Sequence, residues 1–349
     1  MTHFVDVPDR PPSEERGISS AGRIEIAVRS ASCDRFPARS APAVVVTLPT
    51  FRRPDHLTKT LDSLLAQATT RRFAVVVMEN DAEGRAGLEA AQPYFENGRL
   101  EGLVLVAHER GNCSAYNAGW QTALRHYPVM DYLLVIDDDE CACPDWIERL
   151  VRTATATGAD FVGGPQRPVF EGGHGDTVAR HPVFTPHYET TGRVPILYSS
   201  GNVLIRRRVL ETMGAPFLDT AFNFIGGGDS DFYARSKRRG LTFAWCAEAP
   251  VFETMPARRS EWSWVNARSL RNGAISAIIE RRADPHMTGR LRRIAKSAAL
   301  LAVSPVRGAR LGWRKRSALV GLYPLQVAIG RFMAEFGLVN EQYRRPEQN

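Results

Sequence analysis

The sequence has few cysteines, and none of them forms a pattern that predicts a disulfide framework or a zinc site. The five are Cys33, Cys113, Cys141, Cys143 and Cys246. Their number is odd and their spacing scattered, and the one close pair has no second Cys or His pair at zinc spacing. We therefore expect free thiols, which suit a reducing cytoplasm.

Long apolar runs are also missing. The opening segment, MTHFVDVPDRPPSEERG, contains no apolar core, so we do not expect a secretory leader there. The longest uncharged run near the C-terminus, residues 317–330, is 14 residues long and contains Pro324. Such a run is too short to span a bilayer. The chain of 349 residues is nevertheless long enough for one large or two ordinary domains.

Positive charge is concentrated at the C-terminal end. Residues 286–349 hold twelve Lys and Arg against three Asp and Glu, a net +9, so residues 1–285 carry −2. A basic segment binds polyanions or an anionic membrane surface. Few aromatics interleave with its basic residues, so nucleic acid is not the expected partner. The segment either contributes an interfacial helix or packs on the domain, and both alternatives are open.

Strands and helices alternate regularly from residue 43 onward. The predicted strands are AVVVTLP (43–49), FAVVVMEND (73–81), LVLVAHE (103–109), YLLVIDDDE (132–140) and ADFVGGP (159–165). The spacing of apolar residues predicts helices between them, the first with Asp55 as its N-cap. This alternation predicts βαβ units, and hence an α/β protein with a doubly wound, mostly parallel sheet flanked by helices.

The two ends of this pattern differ from its middle. Residues 1–40 are polar and rich in Pro, Ser and Arg, which indicates an extension with one edge strand near residues 23–28. Residues 166–200 are loop-rich. A strand (197–207), a Gly-rich turn with a helix (222–240), a strand-like run (241–253) and an amphipathic helix (261–282) follow.

The most informative segment is YLLVIDDDE. A strand rich in Leu, Val and Ile predicts the buried centre of a sheet, and ligands of open α/β sheets bind beyond the carboxyl ends of the strands. Asp137, Asp138, Asp139 and Glu140 therefore predict a hard-metal site, because oxygen ligands favour Mg²⁺ or Mn²⁺. A solvated acidic turn is the alternative. An EF-hand loop is excluded because its pattern is missing.

Right-handed crossovers place the ends of the first, second and fourth strands on one rim. Residues 50–53, 79–81 and 137–140 are therefore expected around a single crevice. At these ends, Pro49, Thr50 and Phe51 can present backbone groups and an apolar face to a base. Carboxylate and amide oxygens at 79–81 can accept hydrogen bonds from a base or a ribose.

Seven motifs, taken in order, resemble glycosyltransferase family 2, the nucleotide-sugar enzymes with the GT-A fold. They are VVTLPTFRRP (45–54), VVVMEND (75–81), GNCSAYNAG (111–119), VIDDDECACPDW (135–146), SGNVLIRR (200–207), GGGDSDF (226–232) and VFETMPARR (251–259). The last two look most like the branch that builds bacterial exopolysaccharides such as succinoglycan. The order and spacing of all seven make the resemblance specific.

The resemblance implies a domain plan. Residues 41–285 form a GT-A domain, with a nucleotide-sugar half (41–165) and an acceptor half (166–285). Residues 1–40 are an N-terminal extension, and residues 286–349 are a basic helical tail.

The resemblance also implies roles in the nucleotide-sugar half. Uracil and ribose are expected at the first two strand ends, the diphosphate near Arg52 or Arg53, and a divalent metal on Asp137 and Asp139. The expected contacts of the donor are Pro49, Thr50, Phe51, Arg53, Glu79, Asn80, Asp81, Asn117, Asp137 and Asp138. Two positions depart from the family: Glu79 replaces its usual first Asp, and Tyr116 stands where an Arg often precedes the Asn. A packing role for Asn117 is the alternative to a donor contact.

In the acceptor half, GGGDSDF carries the expected catalytic base. Inverting sugar transfer needs a base that takes the proton of the acceptor hydroxyl as its oxygen attacks the anomeric carbon. The resemblance assigns this role to Asp229, although Gly228 replaces the family's usual Glu. The alternative is that Asp229 and Asp231 only cap the next helix. The expected acceptor contacts are Asn202, Asp231, Trp245 and Glu253.

These expectations combine into one function: an inverting, Mn²⁺- or Mg²⁺-dependent hexosyltransferase. It would use a UDP-sugar, most simply UDP-glucose, and a saccharide or lipid-linked acceptor in exopolysaccharide or cell-surface glycan synthesis. It would be cytoplasmic and peripheral on the inner membrane face through residues 286–349. A non-catalytic scaffold of a polysaccharide assembly is the alternative. A nucleotidyltransferase is less favoured, because no Gly-rich, Lys-containing phosphate loop follows the first strand.

Overall fold

The computed structural model of the chain describes residues 22–36, 41–172 and 176–338. Most of the predicted N-terminal extension, much of the GGHG stretch and the last 11 residues of the tail lie outside the described residues.

A large sheet of nine strands runs through the molecule, in the order β1-β4-β3-β2-β5-β10-β7-β11-β9. A second sheet has the order β6-β12-β8. The strands are β1 (Ile24–Ser30), β2 (Val44–Thr50), β3 (Phe73–Glu79), β4 (Gly102–Ala107), β5 (Tyr132–Val135), β6 (Glu140–Ala142), β7 (Phe161–Gly163), β8 (Gln166–Phe170), β9 (Gly192–Val194), β10 (Val203–Arg206), β11 (Phe243–Trp245) and β12 (Val251–Met255).

Helices cover both faces of the large sheet and form the C-terminal part. They are α1 (Pro54–Leu65), α2 (Ala86–Glu96), α3 (Asn112–His126), α4 (Trp146–Thr157), α5 (Asp176–Ala179), α6 (Arg207–Met213), α7 (Gly228–Arg238), α8 (Trp262–Ala283), α9 (Met287–Lys315), α10 (Ala318–Gly321) and α11 (Tyr323–Glu335). Short 3₁₀ turns lie at Thr220–Phe222 and Ala257–Ser260.

The first half matches the predicted parallel core. Strands β4, β3, β2 and β5 pair in parallel, and every residue of β2, β3 and β4 is buried. Strands buried on both faces need apolar side chains on both, which explains their near-continuous Val and Leu runs. The edge strand predicted near residues 23–28 is β1, which pairs antiparallel with β4.

The start of the first helix was predicted wrongly. Helix α1 begins at Pro54, and Asp55 lies in its first turn instead of capping it. Proline fits the first helical position because its missing N–H has no intrahelical partner there and its φ already suits the helix.

The second half is mixed in direction. Strand β10 pairs antiparallel with both β5 and β7, whereas β7 and β11 are parallel. The predicted α/β class is confirmed, with the parallel run concentrated in the first half. The strand-like stretch 241–253 is divided between the two sheets, with β11 in the large sheet and β12 in the small one.

The described part of the basic tail packs on the rest of the protein. Arg331 of α11 lies 2.7 Å from Glu280 of α8, and Arg293 of α9 lies 3.0 Å from Glu335 of α11. Both arginines are buried, so two of the tail's positive charges hold its helices together. Among the helices described, none has the length and apolar character needed to cross a membrane.

Candidate active site

A cavity of about 730 Å³ opens at the carboxyl ends of β2, β3 and β5. Its wall includes Asp137, Asp138 and Asp139 from the end of β5 and Asp229 from the start of α7. The two acidic groups that the sequence assigns to different halves therefore face one space. This juxtaposition is the geometry on which a donor and an acceptor site would depend.

The three aspartates are poorly solvated. Burial and then the neighbouring Asp139 raise the pKa of Asp137 to about 7, although the Tyr116 hydroxyl donates to its Oδ1. Burial also raises the pKa of Asp138 to about 6, against the lowering effect of Arg53. The Thr50 hydroxyl donates to Asp138 at 2.9 Å. Crowded carboxylates of this kind are costly without compensating positive charge.

Two arginines supply part of that charge. Arg53 lies 2.8 Å from Asp139 and 3.4 Å from Asp138, and Arg259 lies 3.7 Å from Asp139. Arg259 also contacts Glu253 at 3.1 Å. Burial, followed by repulsion from Asp139, raises the pKa of Glu253 to about 7.

The nucleotide end contains most of the residues predicted for it. Pro49, Thr50, Phe51, Arg53 and Asn80 all line the cavity. The side chain of Asn80 bonds to the backbone of the loop after β4. Its Nδ2 donates to the carbonyls of residues 107 and 109, and its Oδ1 accepts from the N–H of residue 111. It therefore fixes the loop that forms one side of the cavity.

One wall residue at this end was missed by the sequence analysis. Arg110 lies 5.0 Å above the Phe51 ring, where both side chains border the cavity. Nothing in the local sequence distinguishes Arg110 from an ordinary loop arginine. Its place becomes visible only when the loop after β4 is positioned beside the end of β2.

Three predicted donor contacts do not reach the wall. Glu79 is fully buried, and its oxygens accept from the backbone N–H groups of residues 81, 87 and 88. Asp81 forms a 2.6 Å ion pair with Arg52, which holds the pKa of that carboxyl below its ordinary value. Asn117 pairs both ways with the backbone of Leu218, at 2.7 and 2.9 Å. These side chains hold the backbone around the cavity in place without lining it.

Two predicted acceptor contacts also bond to partners inside the fold and do not line the cavity. Asn202 accepts from the Trp146 indole at 2.7 Å and donates to two backbone carbonyls. Asp231 is buried and pairs with Arg235 at 2.7 Å. Neither lines the cavity, because each carboxylate or amide is occupied by partners inside the fold.

Glu140 also leaves the acidic tip. The chain turns after Asp139, and Glu140 begins β6 as a fully buried residue. Its carboxylate accepts from the backbone N–H of Asp137 at 2.9 Å and from the Gln166 amide. The predicted cluster of four carboxylates is thus reduced to three at the cavity.

Asp229 is carried by a tight glycine turn. Gly227 precedes α7 with φ at 91°. Residues that carry a Cβ rarely adopt this left-handed conformation. Asp229 follows in the first turn of the helix, where the N–H dipoles favour a carboxylate. Burial nevertheless raises its pKa above the ordinary value, opposed by Arg268 and Arg271. Gly227 is the N-cap residue, and the Asp229 carboxylate accepts hydrogen bonds from backbone N–H groups of the first helical turn.

Beyond Asp229 the wall becomes aromatic and apolar. Trp245 and Glu253, both predicted as acceptor contacts, line the cavity, and Glu253 lies beside Arg259 near the acidic tip. Within the described residues the buried indole N–H of Trp245 has no hydrogen-bond partner. Other aromatic and apolar residues of the wall include Phe184, His187, Tyr198, Trp264, Ile275, Ile279, Tyr323 and Val327.

The donor set suits a hard divalent cation shared with a ligand. Asp137 and Asp139 offer oxygen atoms only, and a cation would offset the burial and the repulsion from Asp139 that raise the pKa of Asp137. In the part of the chain that the structure describes, no group of three or more His, Cys, Asp or Glu residues is arranged to hold a metal. Mg²⁺ and Mn²⁺ commonly complete their shells with water and phosphate oxygens.

Comparison with known proteins agrees with this geometry. The model of glycosyl transferase family 2 matches residues 45–214. The succinoglycan biosynthesis protein ExoM of Rhizobium meliloti is 32% identical over 237 residues, which cover 64% of this chain and 71% of that protein. The glucosyl-dolichyl phosphate glucuronosyltransferase of Haloferax volcanii is 31% identical over 145 residues, 41% of this chain and 42% of that one.

The fold is also found among solved structures. The mannosyltransferase PcManGT from Pyrobaculum calidifontis, in complex with GDP-Man and Mn²⁺, aligns with a TM-score of 0.55. The alignment covers 87% of this chain and 90% of that one at 18% identity. At this identity the likeness establishes a shared architecture.

Proposed function

Because the chain belongs to glycosyltransferase family 2, we propose that this glycosyltransferase is an inverting, metal-dependent enzyme that transfers a sugar from a UDP-sugar to a saccharide. The observation that carries the proposal is the shared cavity of the β5 acidic tip and Asp229. With a bound cation the acidic tip suits the diphosphate of a donor, and Asp229 suits the hydroxyl of an acceptor. UDP-glucose is the donor that we propose.

In this proposal the nucleotide occupies the end bordered by Pro49, Thr50 and Phe51, with Arg53 and Arg259 facing the diphosphate. Asp137 and Asp139 would hold Mn²⁺ or Mg²⁺. A bound cation supplies Lewis-acid stabilisation of the negative charge on the departing nucleotide.

Asp229 acts at the other end of the bond. Its carboxylate accepts the proton of the acceptor hydroxyl while that oxygen forms a bond to the anomeric carbon. The bond from the anomeric carbon to the diphosphate oxygen breaks, and its electron pair leaves with the nucleoside diphosphate. Attack from the face opposite the leaving group gives a β-linkage from an α-linked donor.

The base assignment is tested by Asp229→Asn, with Asp131→Asn at an exposed position as the matched control. We expect the first variant to lose transfer while retaining the Mn²⁺-dependent thermal stabilisation by UDP, and the control to keep both. Near-normal turnover in Asp229→Asn would refute the base assignment.

The choice of donor has its own test. A panel of UDP-, GDP- and dTDP-sugars is screened for Mn²⁺-dependent protection against thermal unfolding. UDP-glucose should give the largest shift. A larger shift with a GDP-sugar would overturn the choice of nucleotide and leave the fold and family unaffected.

We further propose a lipid-linked acceptor, used at the cytoplasmic face of an anionic membrane. One relative's name contains glucosyl-dolichyl phosphate, which supports an acceptor of this class. On this chain, α9 exposes Val306 and Trp313, at 68% and 83% of their surface, beside the exposed Arg310 and Arg314. Apolar and basic residues exposed together on one helix fit an anionic lipid surface.

Flotation with vesicles of phosphatidylglycerol and phosphatidylcholine tests this surface. Charge reversal by R310E and R314E together should weaken recovery at least about tenfold. The same reversal on α7, K237E with R238E, is the matched control and should have little effect. Equal recovery of both double variants would refute a membrane-binding role for α9.

A further inference from the structure

The C-terminal helix α11 forms part of the wall of the catalytic cavity. Tyr323 and Val327, one helical turn apart, line the same space as Asp229. These residues lie beyond the matched family segment, residues 45–214. The tail is therefore part of the site as well as a support for α8.

Close contact between helices fixes this wall. Gly330 of α11 faces the backbone of α8, where an added Cβ would lie 1.9 Å from the carbonyl oxygen of Leu270. Arg331, the next residue, is held by Glu280 and by the Ser276 hydroxyl at 2.6 Å. The position of Val327 at the cavity is thus set by backbone packing and a buried ion pair.

The end bordered by α11 is chemically distinct from the donor end. Ile275 and Ile279 of α8 line it together with Val327. The polar lining groups on the same stretch of α8 include Asn272, Ser276 and Glu280, and the last two are bonded to Arg331. Aliphatic side chains cannot hydrogen-bond to sugar hydroxyls, whereas they bury hydrocarbon favourably.

The apolar end is continuous with the catalytic turn. Ile275 packs directly against Gly227, where an added Cβ would lie 2.6 Å from the isoleucine side chain. Gly227 is two residues before Asp229. A ligand whose hydroxyl reaches Asp229 can therefore extend an attached chain along Ile275 toward Ile279 and Val327.

We infer that this end is a subsite for the hydrocarbon chain of the acceptor, with α11 as its wall. The inference rests on the proposed function, because it specifies which part of a lipid-linked acceptor each region of the cavity receives. The saccharide lies at Trp245 and Asp229, and the first carbons of the apolar chain lie between α8 and α11. Acceptor preference is then set by residues of the C-terminal helices.

Binding of octyl β-glucoside, kept below its micelle concentration, tests the subsite against methyl β-glucoside. Quenching of tryptophan fluorescence reports binding, because Trp245 and Trp264 line the cavity. We expect the octyl compound to bind at least about tenfold more tightly than the methyl compound. Equal affinity of the two glucosides for the wild-type protein would overturn the inference.

Paired substitutions locate the effect. Val327→Gln should abolish most of the octyl preference, whereas Ile329→Gln, at an exposed position of the same helix, should retain it. Ile279→Gln on α8 should act like Val327→Gln, which protects the test against a folding defect in one variant. A preference that persists in both cavity variants would place the octyl chain elsewhere and refute the subsite.

A second pair of measurements distinguishes failure of the proposed function from failure of the subsite. Mn²⁺-dependent stabilisation by UDP and release of UDP from UDP-glucose are measured on the same variants. Loss of the octyl preference with normal UDP stabilisation supports the subsite. Absence of UDP stabilisation in the wild-type protein, with the octyl preference intact, would contradict the transferase proposal alone.

Discussion

Replacing Asp137 by Asn should stabilise the ligand-free protein while abolishing its response to metal and nucleotide. The pKa of Asp137 is raised to about 7, chiefly by burial and then by Asp139. Its ordinary value in an unfolded chain is about 3.9, and each pKa unit corresponds to about 1.4 kcal/mol. Above pH 7 the full difference is about 4 kcal/mol, and partial solvent access reduces our expectation to about 2 kcal/mol.

The direction of the pH dependence is fixed by this shift. A carboxyl whose pKa is raised by folding binds its proton more tightly in the folded state. It therefore costs no stability below about pH 4, and the cost grows as the pH rises from about 4 to 7. The advantage of Asp137→Asn should be largest at pH 8 and should shrink as the pH falls toward 4.

Urea unfolding at pH 8, with and without Mn²⁺ and UDP, measures both effects. At a ligand concentration about 100 times its Kd, the wild-type protein should gain about 2.7 kcal/mol. The Asp137→Asn variant should gain almost nothing, and the control Asp131→Asn should behave as wild type. A variant that is less stable without ligand, or that keeps the Mn²⁺-dependent gain, would refute the assignment of Asp137 as a crowded metal ligand.

Three further predictions concern Asp229, Gly330 and His181. Burial raises the pKa of Asp229, so the acidic limb of kcat/KM should have its midpoint above about pH 4, and a midpoint below 4 would contradict a buried base. Gly330→Ala should lower the free energy of unfolding by about 2 kcal/mol because its Cβ meets the Leu270 carbonyl, although helix propensity alone predicts a gain of about 1 kcal/mol. Burial lowers the pKa of His181 to about 4, so the free energy of unfolding should fall by about 1–2 kcal/mol between pH 7 and 5. His181→Phe should remove this loss. An equal pH dependence of the free energy of unfolding in the wild type and the variant, measured by urea unfolding, would refute the prediction.

The residues nearest the strand ends were the most predictable part of the site. Thr50, Asn80 and Asp137 directly follow or end buried parallel strands, so their common rim follows from crossover handedness alone. The Gly-rich turn before Asp229 was equally visible in the sequence. Both groups line one cavity. The alternation of strands and helices indicated the rim of strand ends, whereas the family resemblance placed Asp229 opposite it.

Sequence reasoning was less successful where a polar side chain serves the fold. Glu79 and Asn117 have the same residue types as ligand contacts, but backbone groups occupy their hydrogen-bonding atoms, from Gly87 and its neighbours for Glu79 and from Leu218 for Asn117. No local pattern distinguishes the two uses. The contribution of Tyr323 and Val327 was hidden for a related reason, since it depends on how α11 packs against α8.

The crystal structure of the protein with UDP and Mn²⁺ is the most direct test of the account. We expect oxygens of Asp137 and Asp139 to hold the cation beside the diphosphate, with the Asp229 carboxylate facing the vacant sugar position. Nucleotide bound outside this cavity, or a diphosphate held by arginines with no cation at Asp137 and Asp139, would contradict it.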